Sequence, residues 1–130
     1  MISTSARLIV LFCALSSNVT QAQESSCLFG ANQPATVQIE FNYKTAADGS
    51  GKEMGSGFII SPSGYVLTNA HVVSPKQELV DMKIESTTVR VRVGGIFKAP
   101  VEAEIVHRDT LSDLALLRLP DRQGGWPTVV

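Results

Sequence analysis

The chain has 130 residues, of which 44% are hydrophobic and 18% charged, and carries a formal net charge of −1 at pH 7. That is ordinary for one soluble globular domain and short for two. No basic stripe or acidic block occurs, which argues against nucleic-acid binding and against charge-driven attachment to an anionic membrane, so partners have to be inferred from a site.

Taken in chain order, Met1 to Ala22 has the make-up of an export signal. Arg7 supplies the positive start, Leu8 to Leu15 the apolar core, and Thr20-Gln21-Ala22 a small-residue end. The apolar run is too short to span a bilayer. The alternative, a buried N-terminal helix, would put a Ser- and Asn-rich segment into a domain otherwise patterned for strands. Residues 1–22 are therefore read as a signal peptide and 23–35 as a tail. The expected location is exported, periplasmic or extracellular, with no membrane association once the signal is removed. Asn18-Val19-Thr20 matches a glycosylation acceptor but lies in the segment to be cut away. Cleavage would leave Cys27 as the remaining thiol. Glu24-Ser25-Ser26 before it lacks the apolar run of a lipidated cysteine, so pairing with a cysteine beyond Val130 and a free thiol both stay open.

From Thr36 to Tyr43, Val37, Ile39, Phe41 and Tyr43 alternate with Gln38, Glu40 and Asn42, the pattern of a half-buried strand. Ala46 to Lys52 is expected to be a flexible turn. Gly55 to Ser61 carries the apolar run Phe58-Ile59-Ile60, which suits a buried strand. Pro62, Ser63 and Gly64 supply turn chemistry, because Pro presets φ and Gly accepts positive φ, so the chain reverses into a strand from Tyr65 to Asn69. Ser74 to Gln77 is expected on the surface. Val80, Met82 and Ile84 alternate with charges, and Val89, Val91 and Val93 alternate with Arg90 and Arg92, predicting two strands of a hairpin between Glu78 and Val93. Gly94-Gly95 signals a tight turn before a strand over Ile96 to Ala99. After Pro100, a bulge or edge signal, Val101, Ala103 and Ile105 alternate with Glu102 and Glu104. Asp113 to Leu119 is the most apolar strand and is expected deep in the core. Six or seven short strands with regular turns and no amphipathic helix predict an all-β fold, a closed antiparallel six-stranded β-barrel over 36–120. Residues 121–130 are expected to begin a linker.

Two residues carry the candidate chemistry. His71 directly follows a strand, where packing holds its backbone and leaves its ring free to face a cleft, as a general base requires. A core histidine satisfied by a backbone hydrogen bond is the plainer alternative. Asp113 opens the apolar strand and is placed to orient an imidazole. Asp109 competes for that role, but its setting, Arg108-Asp109-Thr110, is polar and suits an ion pair to Arg108 or a turn cap. His107 joins a possible metal set with His71 and either Asp109 or Asp113, yet no HxxxH or HExxH spacing occurs, so neither a metal nor a cofactor is expected.

Three segments in order, Gly55-Ser56-Gly57-Phe58-Ile59-Ile60, Thr68-Asn69-Ala70-His71-Val72-Val73 and Ser112-Asp113-Leu114-Ala115-Leu116-Leu117, resemble the first half of a trypsin-like serine protease of the HtrA-like branch. The resemblance covers roughly Val37 to Leu119. It implies the N-terminal half of a double-barrel fold in an exported serine endopeptidase, with His71 and Asp113 as base and orienting acid of a Ser-His-Asp triad. It further implies protein or peptide substrates, and it leaves homo-oligomerisation of a full-length parent open. The interval from His71 to Asp113 is longer than is usual for that branch, and the extra residues are assigned to the hairpin between Glu78 and Val93. The family's GxSGG-type nucleophile turn does not occur; Gly49-Ser50-Gly51 and Gly55-Ser56-Gly57 do not fit it. The serine is therefore expected in a second barrel starting near Trp126 and continuing beyond Val130. An inactive pseudoprotease or a single-barrel peptide-binding module is the alternative.

The N-terminal pattern makes a direct prediction. Mass spectrometry of the exported fraction should find a chain starting near Gln23, whereas an intact Met1 on a cytosolic protein would contradict it.

Overall fold

A computed structural model of the chain describes residues 30–47, 49–76 and 83–130. The segment expected to be a signal peptide, Cys13, Cys27, Val80 and Met82 lie outside the described residues. Between Asn32 and Val129 the chain forms one compact unit, built of six strands: β1 (Thr36–Thr45), β2 (Ser50–Ile59), β3 (Tyr65–Thr68), β4 (Ile84–Val93), β5 (Val101–Asp109) and β6 (Leu114–Arg118). Two 3-10 turns, Gln33–Ala35 and Ala70–Val73, precede β1 and follow β3. The strands close antiparallel into a barrel in the order β1-β2-β3-β6-β5-β4. Closure removes the open edges that single sheets must protect. Among the described residues no helix is long and apolar enough to cross a membrane.

Alternation along β1 works as the sequence predicts: Val37, Ile39, Phe41 and Tyr43 point inward and are buried. They meet Ile59, Val66, Val89, Val91, Ala115 and Leu117 from the other strands, with Leu119 below. On the outer face Glu40 is also covered, because Lys52 Nζ stands 3.0 Å and Arg92 Nη1 3.7 Å from its Oε2 while Asn42 Nδ2 donates to Oε1 at 2.8 Å. The partners keep this covered carboxylate satisfied.

Four local expectations are corrected. β2 starts at Ser50, so the turn after β1 is only Ala46 to Gly49; pairing with β1 from Thr36↔Phe58 to Lys44↔Ser50 draws a Gly- and Ser-rich segment into strand. Tertiary pairing outweighs weak β-propensity there. Ile84–Val93 is one continuous strand, paired along β1 from Val37↔Val93 to Thr45↔Ile84, so the turn expected between Ile84 and Val89 does not form, while the first part of the expected hairpin, from Glu78, lies outside the described residues. Ile96 to Ala99 is a loop, with Ile96 and Phe97 in solvent. Finally, Ile59 is buried but Phe58 and Ile60 are 42% and 44% exposed, since period two puts them on the outer face. Leu114 is outward for the same reason, while Ala115, Leu117 and Leu119 are buried.

The turn after β2 closes as its residues dictate, Gly64 N–H donating to Ser61 O at 3.0 Å and Ile60 N–H to Tyr65 O at 2.9 Å. Beyond β6, Pro120 to Val129 runs back over this turn. Trp126 N–H donates to Pro62 O at 2.9 Å, its indole Nε1–H to Pro120 O at 2.9 Å, and Val129 N–H to Ile59 O at 3.0 Å.

The two glycines of the Gly-Ser-Gly segment have a steric purpose. A Cβ on Gly57 would lie 2.7 Å from the Leu67 carbonyl oxygen, and one on Gly55 would lie 2.5 Å from both Val72 methyl carbons. Backbone cannot yield as a side-chain tip can, so Gly57→Ala should destabilise the barrel by about 1–3 kcal/mol, as overpacking does. Ser56 is exposed between them, and Ser56→Ala should fall within about 0.5 kcal/mol of wild type. Urea unfolding of the chain checks both, and equal midpoints for the two variants would refute the close-approach argument.

Candidate active site

β3 ends at Thr68, and the chain then turns through Ala70–Val73, with Val72 N–H donating to Asn69 O at 3.2 Å and Ser74 Oγ to Ala70 O at 2.7 Å. Ala70, Val72 and Val73 are buried, which leaves His71 as the outward residue of the turn, its side chain 71% exposed. His71 thus stands inside a short 3-10 turn past the strand end, a detail that the strand pattern alone did not reveal.

Asp113 reaches it from the other side. The β3–β6 register pairs Thr68 with Ala115, so the residues just before β6 lie beside those just after β3. Asp113 Oδ2 is 2.8 Å from His71 Nδ1, and Asp113 Oδ1 accepts the His71 backbone N–H at 3.0 Å. One carboxylate therefore holds both the ring and the backbone of the same residue. Asn69 Nδ2 closes the arrangement by donating to Asp113 O at 3.1 Å. Asn69 was visible in the sequence as part of the Thr68–Val73 segment, but nothing there disclosed this tether.

The backbone at Asp113 has φ = 54°, the only positive φ at a non-glycine among the described residues. Asp tolerates the left-handed region better than most residues, yet it remains a sparsely populated conformation held by its surroundings. Here the three hydrogen bonds to His71 and Asn69 hold it. The His71 backbone N–H above all, and then the His71 ring, keep the Asp113 carboxyl below the usual carboxylate range. An ionised carboxylate only accepts, so the shared proton sits on Nδ1 and Nε2 is left as the free acceptor.

Asp109 has a different task. Ending β5, it accepts from Leu111 N–H at 3.0 Å, from Ser112 N–H at 3.4 Å and from Ser112 Oγ at 2.6 Å. The Ser112 hydroxyl first, and then the two amides, lower its pKa. This carboxylate caps the turn that delivers Asp113. His107 lies on β5 opposite Leu116, exposed, with no hydrogen bond to His71. Among the described residues no three His, Cys, Asp or Glu side chains are grouped to hold a metal ion.

His71 and Asp113 face a cavity of about 430 Å³, shared with Glu53, Ser74, Lys76 and Thr110. Glu53 was not singled out from the sequence. Nothing in its segment marked it, since the strand was expected to begin only at Gly55.

Residues 55–130 match the family described as trypsin-like peptidase domain. The chain is 40% identical over 78 residues to "Probable periplasmic serine endoprotease DegP-like" of Ectopseudomonas mendocina, covering 60% of this chain and 14% of that protein. A protein of the same name from Pseudomonas fulva is 38% identical over 68 residues, covering 52% of this chain and 12% of that protein. "Serine endoprotease DegS" of Escherichia coli is 33% identical over 78 residues, covering 60% and 18%. The chain therefore spans less than a fifth of the length of each of these curated relatives.

The lowered Asp113 pKa has a signed consequence. Its stabilising contribution is fully present above the ordinary carboxylate pKa of about 3.9 and is lost as pH falls through the lower folded value. Asp113→Asn, which suits a left-handed backbone equally well, should unfold earlier than wild type at neutral pH, and the two should converge in acid. A gap unchanged down to about pH 2 would contradict the bridge.

Proposed function

The chain belongs to the trypsin-like peptidase family, and from that membership together with the 2.8 Å contact between His71 Nδ1 and Asp113 Oδ2 we propose that it is the first barrel of an exported serine endopeptidase. In this reading His71 Nε2 takes the proton of an attacking serine hydroxyl and returns it to the leaving amine. Asp113 holds the imidazole in the tautomer that leaves Nε2 free and stabilises the imidazolium that forms. The 71% exposure of His71 supports this division, because a base has to meet a nucleophile brought from elsewhere.

The nucleophile, the oxyanion donors and the pocket for the substrate side chain would come from a second barrel after Val130. A single barrel also leaves an apolar outer row partly in water: Phe58 pairs with Leu67 and Leu67 with Leu116 across β2, β3 and β6, the two leucines half-buried and Phe58, Ile60 and Leu114 exposed. Such a face favours a partner domain. Substrates are proteins or peptides, met in the periplasm or outside the cell. Residues 23–130 alone should not hydrolyse casein, since the largest electrostatic contribution to catalysis is not among them.

Kinetics of the full-length protein test the roles. His71→Ala should remove nearly all turnover with the fold intact. Asp113→Asn should lower the rate by roughly 10⁴, the size seen for that substitution in a serine-protease triad. Asp109→Asn and His107→Gln should stay within about tenfold of wild type, since a turn cap and an exposed histidine contribute little to the transition state. A crippling Asp109→Asn beside a mild Asp113→Asn would reverse the assignment. A stop codon or a replaced serine downstream would favour an inactive pseudoprotease or peptide-binding module.

A further inference from the structure

The inward row of β2 runs Gly51, Glu53, Gly55, Gly57, Ile59. Of these, Glu53 alone brings a charge, and it brings it to the cavity that His71 and Asp113 share. Its Oε1 is shut off from solvent and accepts no hydrogen bond among the described residues. Lys76 Nζ approaches this oxygen to 3.7 Å, too far for a hydrogen bond. A charged oxygen buried without a donor is costly, and the cost falls when a ligand supplies one.

The two carboxylates of the cavity differ in what they have left to offer. Asp113 commits one oxygen to the His71 N–H and the other to the ring. Glu53 commits neither to a hydrogen bond from the described residues, and its side chain keeps 24% exposure. Lys76 is 63% exposed and long, so its hold on Glu53 is that of a surface ion pair, easily given up. Two carboxylates against one ammonium leave the cavity with an excess of negative charge beside the candidate base. A cationic side chain that enters gains a charge-assisted hydrogen bond that a neutral one does not.

Resting on the reading of this chain as part of a serine endopeptidase, we propose that Glu53 is a specificity-determining residue that selects a Lys or Arg side chain of the peptide bound beside His71, which takes the place of Lys76. Glu53 does not touch the reacting atoms. Its effect is on which peptide is held there.

The test uses the full-length protein and a set of peptides identical except for Lys, Gln or Glu at each position flanking the cleaved bond. At one position wild type should prefer Lys to Glu by about tenfold or more in kcat/KM. Glu53→Gln should reduce that ratio to within about threefold, and Glu53→Lys should invert it. Lys76→Gln should lower KM for the Lys peptide, because it removes the competing ammonium. An unchanged Lys-to-Glu ratio in Glu53→Gln would overturn the proposal, as would a KM for the Lys peptide that stays the same or rises in Lys76→Gln. If no peptide is cleaved, the endopeptidase reading fails separately. Calorimetric binding of the same peptides then decides the role of Glu53: a Lys-over-Glu order lost in Glu53→Gln upholds it, and an order that persists overturns it.

Discussion

The carboxylate of Asp113, bonded through Oδ1 to the backbone N–H of His71 and through Oδ2 to its ring, is the contact on which the site depends. It joins the end of β3 to the turn before β6, two places that only barrel closure brings together. The register Thr68↔Ala115 sets the distance. Because side chains alternate with period two, a slip by one residue would carry the β6 residues to the opposite face and Asp113 away from the imidazole. The positive φ of Asp113 is the local cost of this reach. Asn69, through its bond to Asp113 O, helps keep the residue there.

The three segments that stand out in the sequence are three sides of one packed junction. Gly55 and Gly57 leave room for Val72 and for the Leu67 carbonyl, so the turn carrying His71 can lie against β2. Thr68 Oγ1 ties back to Ser56 O at 2.8 Å. Ser112 and Asp109 shape the turn that presents Asp113. Rigid surroundings of this kind let an exposed histidine hold one orientation without being buried itself.

Much of this was legible beforehand, and for physical reasons. The inward face of β1, the turn at Pro62 to Gly64 and the apolar β6 follow from alternation and turn chemistry, which act over a few residues. What was missed depends on distant partners. Ser50 to Lys52 forms strand because β1 lies alongside, and Ile96 to Ala99 stays a loop because no strand among the described residues pairs with it. Phe58 and Ile60 looked like core because three apolar residues in a row hide the period that divides them. At the site, His71 and Asp113 could be named from their segments. The second bond to the His71 amide, the Asn69 tether and the placing of Glu53 need three-dimensional contact and left no mark that one sequence could show.

The central claim is that Asp113 fixes the tautomer of His71, and imidazole nitrogen NMR of the 15N-labelled chain tests it most directly. At a pH where His71 is neutral, the account predicts a proton on Nδ1 and a bare Nε2, with that preference lost in Asp113→Asn. A His71 ring protonated on Nε2 in the wild-type chain, or the same tautomer ratio in both proteins, would contradict it.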